Sequence, residues 1–191
     1  MTIDSSRIEA AVAEIIAAIG EDATRAGMID TPRRVAEAYG SFFAGLGVDP
    51  LSHLAESVEL DDDQLGELVL LRDIEFRSIC EHHLLPFTGT AHVAYVPATR
   101  VVGLGRLPAV VDTLASRPQL QERLTEEIAD ALQTGLEPHG VLVVIDAVHG
   151  CVSSRGARQA RSSTVTLASR GTLAEPVARA EIMALIGGVG Q

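Results

Sequence analysis

Residues 68 to 96 read LVLLRDIEFRSICEHHLLPFTGTAHVAYV. Apolar and polar side chains alternate from Leu68 to Phe76 and again from Thr90 to Val96, which is the pattern of half-buried β-strands. Pro86 and Gly89 lie between the two runs and favour a turn. The stretch therefore predicts an antiparallel hairpin whose loop end carries Cys80-Glu81-His82-His83.

A second hairpin is predicted nearer the carboxyl end, from Val141 to Cys151 and from Ser163 to Ala168. His149 and Cys151 stand two residues apart, so we expect both side chains to point to the same side of one strand. Helical periodicity and capping residues surround the two hairpins. They predict helices over residues 6–20, 31–45, 107–114, 116–135 and 176–186, the first opened by a capping box at Ser6.

The order helix, helix, two strands, two helices, two strands, helix predicts an α+β fold. We expect an antiparallel four-stranded sheet with helices on one face. Residues 1–65 would form an N-terminal helical segment, and residues 66–191 the main domain, which carries the sheet and the C-terminal helix. Four strands leave two exposed edges, so we expect several copies to assemble into a larger closed barrel.

Composition excludes several classes of function. The formal net charge is −11, which disfavours binding to a nucleic-acid backbone. The chain has no lysine, so any anion site would use arginine or backbone amides. No apolar run is long enough to span a membrane, and Met1-Thr2-Ile3-Asp4 lacks the pattern of a signal peptide. We therefore expect a cytoplasmic protein with no nucleic-acid or membrane partner.

The chain has two cysteines, Cys80 and Cys151, and each lies beside histidine at the end of a predicted strand. Thiolate and imidazole are the ligands that zinc prefers. Two kinds of zinc site fit the spacing about equally. One is a closed structural site with Cys80, His83, His149 and Cys151 as ligands; the other is a catalytic site with three protein ligands and an open position.

A disulfide between the two cysteines is a third alternative, which the lack of any sign of export disfavours. His82 has no place in a closed zinc site. An open site can use both His82 and His149 as proton carriers near neutral pH. The spare histidines therefore favour a catalytic metal.

Four segments of the chain resemble the GTP cyclohydrolase I family and follow that family's order. They are Gly20 to Ala36, Ser78 to Leu84, Arg117 to Thr125 and Asp146 to Cys151. The resemblance covers nearly the whole chain. It implies the tunnelling fold (T-fold), in which subunits join their four-stranded sheets into a barrel. It also implies a toroidal homodecamer with active sites between subunits.

The resemblance also implies a reaction. The guanine imidazole ring of GTP is opened at C8 by water, C8 leaves as formate, and the remainder rearranges to 7,8-dihydroneopterin triphosphate. Cys80, His83 and Cys151 would bind Zn²⁺ with water in the fourth position. His149 would act as general acid and base at the ring nitrogen, and His82 would assist ring opening and the ribose steps.

The substrate residues are likewise implied by the resemblance. Gln121 and Glu122 would read the N1/N2 edge of guanine, where a carboxylate that accepts two N–H bonds gives strong selectivity. From periodicity alone, Glu122 is an exposed carboxylate on the polar face of its helix. Arg34, Arg106 and Arg155 would bind the triphosphate.

The sequence departs from the family pattern at the phosphate end. Gly105 replaces a serine, Arg106 a lysine and Ala109 an arginine, while Glu37 stands where many bacterial members have lysine. These changes motivate an alternative, a divergent paralogue that opens the same ring on a less phosphorylated or different purine nucleotide in specialised metabolism. A non-enzymatic, zinc-stabilised assembly is a third hypothesis. His92 and His139 are each predicted to be an ordinary core or surface histidine without a catalytic role.

Overall fold

The computed structural model describes residues 3–61, 66–155, 158–159 and 161–187. Its helices are α1 (Ser5–Ala18), α2 (Thr31–Phe42), α3 (Arg106–Ala115), α4 (Gln121–Leu136), α5 (Gly150–Ser153) and α6 (Pro176–Gly187), with short 3-10 turns at Pro50–His53 and Thr172–Ala174. Its strands are β1 (Ser57–Glu59), β2 (Val69–Cys80), β3 (Pro86–Val96), β4 (Arg100–Val102), β5 (Pro118–Gln119), β6 (Gly140–His149) and β7 (Thr164–Gly171). The α+β prediction is confirmed.

The main sheet has the strand order β5-β2-β3-β6-β7, and β1 pairs with β4 in a separate ribbon. The antiparallel pairs β2–β3, β3–β6 and β6–β7 are the predicted four-stranded sheet. A fifth strand, β5, runs parallel to β2 in a segment that was predicted to be helical. The Arg117 side chain donates to the carbonyl oxygens of Gly45 at 3.0 Å and Val48 at 2.7 Å, so this segment is held extended and α4 begins only at Gln121.

A β-bulge interrupts β2, because Leu71 pairs with Val93 whereas Ile74 pairs with Ala91. Two residues, Arg72 and Asp73, therefore stand opposite His92 alone. Asp73 has a left-handed backbone with φ 58°, and its N–H donates to Nδ1 of His92 at 3.2 Å. A bulge shifts the alternation of side chains by one residue. Beyond it Ile74, Phe76 and Cys80 all enter the main core.

Helices pack on both faces of the sheet. The long β6 run Val141-Leu142-Val143-Val144-Ile145 sends alternate side chains into two separate cores. One core holds Val141, Val143 and Ile145 with α3 and α4, and the other holds Leu142 and Val144 with Ile182 of α6. The prediction of helices on one face is therefore wrong for α6. An unbroken apolar run is typical of a strand that is buried on both faces.

The N-terminal helices differ from prediction in their cap and in their exposure. Asp4, not Ser6, caps α1, since its carboxylate accepts from the N–H of Arg7 at 3.0 Å. In the apolar stripe of α1, Ile16 is buried, but Ile15 is 59% exposed and Ile19 is 73% exposed. No helix in the described ranges is long and apolar enough to cross a membrane. The predicted boundary after residue 65 lies next to residues 62–65, which are outside the described residues.

Candidate metal and catalytic site

A tight turn at the end of β2 carries the first part of the site. The N–H of Cys80 donates to the carbonyl oxygen of Leu85 at 2.9 Å, and the Cys80 carbonyl oxygen accepts from the N–H of Leu84 at 2.9 Å. Leu84 closes the turn in the left-handed region, with φ 51°, a conformation that costs a non-glycine residue about 1–2 kcal/mol. The turn places His83 beside Cys80.

The second part of the site follows β6. His149 is the last residue of that strand and pairs with Phe87 of β3, and Cys151 lies in α5. The prediction that His149 and Cys151 share one face of a strand is therefore wrong. A Cβ on Gly150 would lie 2.7 Å from the carbonyl oxygen of Pro86, so only glycine allows the chain to turn into α5 this close to β3.

Cys80, His83 and Cys151 come together at this point. One ligand atom from each side chain lies within 4.8 Å of the others. Both cysteines are free, so the chain does not form the disulfide that was considered. Within the part of the chain that the structure describes, the group has these three members, and His149 is not among them. The arrangement matches the open, three-ligand alternative better than the closed one.

The donor set fits a divalent cation such as zinc. Burial raises the pKa of the Cys151 thiol, and the adjacent Cys80 thiol raises it further. Two thiolates so close together repel each other unless a cation lies between them. Cys80 is buried and His83 is exposed, so the three residues bridge the core and the surface. A site of this kind can bind a metal while leaving one side accessible.

The His149 ring is held between two neighbours. It stacks on Phe87, with ring centroids 4.7 Å apart and planes 4° from parallel. Its Nε2 atom lies 2.6 Å from Oε1 of Gln121. Burial lowers the pKa of the His149 imidazole, while the Glu122 carboxylate acts in the opposite direction. The ring is thus kept largely neutral near pH 7 and can accept a proton.

His82 lies at the surface beside the metal-binding group. Its ring centroid is 6.2 Å from that of His83, and the two ring planes are nearly perpendicular at 85°. The side chain is exposed, as is that of His83. The turn therefore offers one imidazole to the metal group and a second imidazole next to it.

Glu122 and Gln121 are neighbours in sequence but differ in environment. Glu122 is exposed and lines a cavity of about 440 Å³ together with Thr166 and Leu167 of β7. Gln121 is only 1% exposed, and its side-chain amide hydrogen-bonds to β6 and β7. Gln121 and Glu122 were both predicted to bind the base. Of the two, only Glu122 has a side chain that is exposed to a ligand.

An ion pair between Glu81 and Arg123 ties the turn to α4, and the sequence reasoning missed it. Arg123 also donates to the side-chain oxygen of Gln119 at 3.0 Å. These contacts hold the segment after Cys80 against the helix that carries Glu122. The two partners are separated by 42 positions in sequence, so no local pattern indicates the pair.

The three arginines predicted to bind phosphate lie in different places. Arg155 follows α5, close enough to Cys151 to counteract part of the rise in its pKa. Arg34 pairs with Asp30 at 3.2 Å, and Arg106 pairs with Glu56. The structure thus brings Arg155 near the metal group. Arg34 and Arg106 instead pair with carboxylates that precede the main sheet in sequence. Glu37 is matched by Arg33 at 2.6 Å.

Comparison with known proteins gives consistent results. A family model described as GTP cyclohydrolase I matches residues 8–187. A protein named GTP cyclohydrolase 1 from Leifsonia xyli subsp. xyli is 62% identical over 184 residues, which cover 96% of each chain. Another of that name from Carboxydothermus hydrogenoformans is 53% identical, over 97% of this chain and 96% of its own. The crystal structure of the archaeosine synthase QueF-Like aligns with 55% of this chain and 93% of its own, at 19% identity and a TM-score of 0.45.

Proposed function

The chain belongs to the GTP cyclohydrolase I family, a family of hydrolases, and from this premise we propose that it converts GTP to 7,8-dihydroneopterin triphosphate and formate. The reaction opens the guanine imidazole ring at C8 with water. The observation that carries the proposal is the convergence of Cys80, His83 and Cys151 from two distant segments, with the partly buried His149 two residues before Cys151.

Cys80, His83 and Cys151 would hold Zn²⁺. A zinc ion at such a site supplies a Lewis acid that lowers the pKa of water and makes it a nucleophile near neutral pH. The two sulfurs and one imidazole match the ligands that zinc prefers, and the described group contains no fourth side chain. That composition supports a catalytic rather than a closed structural role.

The remaining residues would bind the substrate and move protons. The exposed Glu122 carboxylate would accept the two N–H groups on the N1/N2 edge of guanine, a pairing that a purine without these donors does not offer. His149, largely neutral and fixed in its ring plane, would exchange a proton with the ring nitrogen next to C8. His82 would serve the ring-opening and ribose steps. Arg155, Arg106 and Arg34 would bind the phosphates.

The same family membership leads us to propose the T-fold, a homodecamer with active sites between subunits, and a cytosolic location. Residues 66–191 would be the catalytic domain and residues 1–65 its N-terminal helical segment. Two features of the protomer support assembly. The outer strand β7 is an unpaired edge in the described sheet, and Ile15 of α1 and Ile19, the residue that follows α1, are largely exposed.

The test is product identification by mass after incubation of the zinc-loaded protein with GTP, together with assay of released formate. We expect dihydroneopterin triphosphate from the wild type, and a loss of activity of at least about 100-fold in His149→Ala. The matched control is His139→Ala, because His139 is an exposed histidine just before the opposite end of β6. Absence of formate from wild-type protein with confirmed zinc content would refute the proposal.

A second candidate is the same ring opening on a less phosphorylated purine nucleotide. It is favoured by the absence of polar side chains at Gly105 and Ala109 and by the pairing of Arg106 with Glu56. Each missing charge-assisted hydrogen bond would weaken triphosphate binding by about 1.5–3 kcal/mol. Formate release from GTP, GDP, GMP and guanosine separates the two candidates, since a clear preference for GTP excludes this one.

A further inference from the structure

The side chain of Gln121 is surrounded by groups that determine its orientation. Its Nε2 atom lies 2.7 Å from the carbonyl oxygen of Thr164, 3.2 Å from that of Ile145 and 3.1 Å from Oγ1 of Thr166. Carbonyl oxygens only accept hydrogen bonds, so the NH₂ end of the amide has to face them. The Oε1 end therefore points to Nε2 of His149 at 2.6 Å.

Two threonine hydroxyls complete a closed ring of hydrogen bonds with the same residue. Thr125 lies 2.7 Å from the main-chain carbonyl oxygen of Gln121 and donates to it. Because that uses the one proton of the Thr125 hydroxyl, Thr166 must donate across the 2.6 Å contact between the two hydroxyls. Thr166 is then left as an acceptor for Nε2 of Gln121. Every hydrogen bond in the ring runs in one direction.

This directionality fixes the protonation pattern of His149. The Gln121 Oε1 atom has no proton to give, so the hydrogen on the 2.6 Å contact belongs to Nε2 of His149. In a neutral imidazole only one nitrogen carries a proton, which leaves Nδ1 as the acceptor. Stacking on Phe87 sets the plane of the ring at the same time.

We propose that Gln121 is a positioning residue that holds His149 in the tautomer with the proton on Nε2, so that Nδ1 is the atom which exchanges a proton with the substrate. The inference rests on the proposed function for its catalytic meaning, but the tautomer is a property of the protein alone. The side-chain amide of Gln121 is fully used by Thr164, Ile145, Thr166 and His149. Base recognition by side chains is thereby left to Glu122.

The first test reads the tautomer directly. Nitrogen NMR of the zinc-loaded protein with ¹⁵N-labelled histidine, at a pH well above the ordinary histidine pKa, distinguishes a protonated Nε2 from a protonated Nδ1. The His149 signals are assigned from their absence in His149→Ala. We expect Nε2 to be protonated in the wild type, and this signature to be lost in Gln121→Met, which keeps the length of the side chain without its hydrogen bonds. A protonated Nδ1 in the wild type, or an unchanged signature in Gln121→Met, would overturn the proposal.

The second test separates positioning from base recognition. Gln121→Met should lower kcat for formate release by about 100-fold, with less than about a threefold change in KM for GTP, because it acts through a proton-transfer group. In a His149→Ala background the same substitution should change single-turnover formate release less than about twofold. An increase in KM that persists in that background would assign Gln121 to the substrate instead and reject the proposal.

The matched control is Gln133→Met on the same helix. The Gln133 amide donates to the carbonyl oxygen of Pro138 at 3.3 Å, so it loses a comparable contact without touching a histidine. Neither the tautomer nor kcat should change in this variant. If no purine yields formate with the wild type, the proposed function fails, and the NMR result still decides the role of Gln121.

Discussion

His92 lies under the bulge in β2 and is only 8% exposed. Its Nδ1 atom accepts the N–H of Asp73, and burial lowers the pKa of the imidazole, with the Asp73 and Asp146 carboxylates opposing the shift and Arg72 adding to it. A lowered pKa means that the folded protein takes up this proton less readily than the unfolded chain. The contribution of His92 to stability is therefore full above the unfolded pKa of about 6.5 and declines as the pH falls below it.

We predict that His92→Asn makes the protein less sensitive to acid. The asparagine side chain can still accept the N–H of Asp73 but does not titrate. Urea unfolding at about pH 7.5 and about pH 5.5 measures the loss of unfolding free energy, which should be smaller in the variant than in the wild type. Acid effects on the metal ligands are common to both proteins. Equal losses, or the same change in a His139→Asn control, would contradict the prediction.

Residue chemistry predicted that Cys80 and Cys151 would share a metal, the family resemblance named His83 as the third ligand, and neither predicted the contacts that support the group. With two cysteines in the chain, the pairing of Cys80 with Cys151 followed from ligand preference alone. The contacts of Gln121 could not be predicted this way, because its partners are backbone carbonyls on two strands that lie next to α4 only in the folded protein. His92 is buried and hydrogen-bonded and His139 is exposed, and both environments fit the prediction of an ordinary core or surface histidine.

At the scale of elements, the turn from β6 into α5 depends on Gly150. We predict that Gly150→Ala displaces α5 from β3, because the added Cβ would lie 2.7 Å from the backbone of Pro86. Cys151 would then move away from Cys80 and His83. We expect zinc affinity to fall by about 10-fold or more, the size typical of lost support for a metal ligand. Competition with a chromogenic chelator measures the affinity.

Gly40→Ala in α2 is the control for this substitution. A Cβ at Gly40 meets nothing within 4 Å, so the variant should keep its zinc affinity, and alanine favours the helix by about 1 kcal/mol. A Gly150→Ala protein that binds zinc as tightly as the wild type would show that the contact with Pro86 does not position Cys151.

The hairpins were predictable because their alternation comes from the sequence itself. The short elements were not. α5 has four residues and exists where β6 meets Pro86, and β5 has two residues held by Arg117 and by pairing with β2. Elements of this length are determined by contacts across the fold, which sequence periodicity does not encode.

At the scale of the whole molecule, the proposed assembly needs an apolar contact surface, and the end of α1 exposes one. Ile15 and Ile19 lie one helical turn apart and are 59% and 73% exposed. We predict that Ile15→Glu/Ile19→Glu lowers the molar mass of the assembly measured by light scattering, because two charges would enter an apolar contact between subunits. The wild type should have the mass of a decamer.

Ala17→Glu is the charge control, since Ala17 is exposed on the opposite side of α1 and carries little apolar surface. It should leave the mass unchanged. A decamer that persists in the double variant would place the subunit contact elsewhere.

The sequence predicted the fold class but not the position of α6. The order of elements was enough to predict an α+β fold. The face of the sheet on which α6 packs depends on Leu142 and Val144, whose apolar side chains are buried against Ile182 of that helix.

The bulge at Arg72 and Asp73 determines which face of the sheet each side chain of β2 occupies. Because strand side chains alternate, one residue added to or removed from β2 outside the bulge would either turn the Cys80 sulfur toward the wrong face or expel Val69 and Leu71 from the core. Two residues would preserve both. Deletion of Arg72 or Asp73 would instead remove the bulge and leave one residue opposite His92, so that Leu71 and Ile74 would still face the same core. Loss of one residue from β2 is therefore tolerable at the bulge, whereas the same loss between Ile74 and Cys80 would turn the Cys80 sulfur away from the metal group.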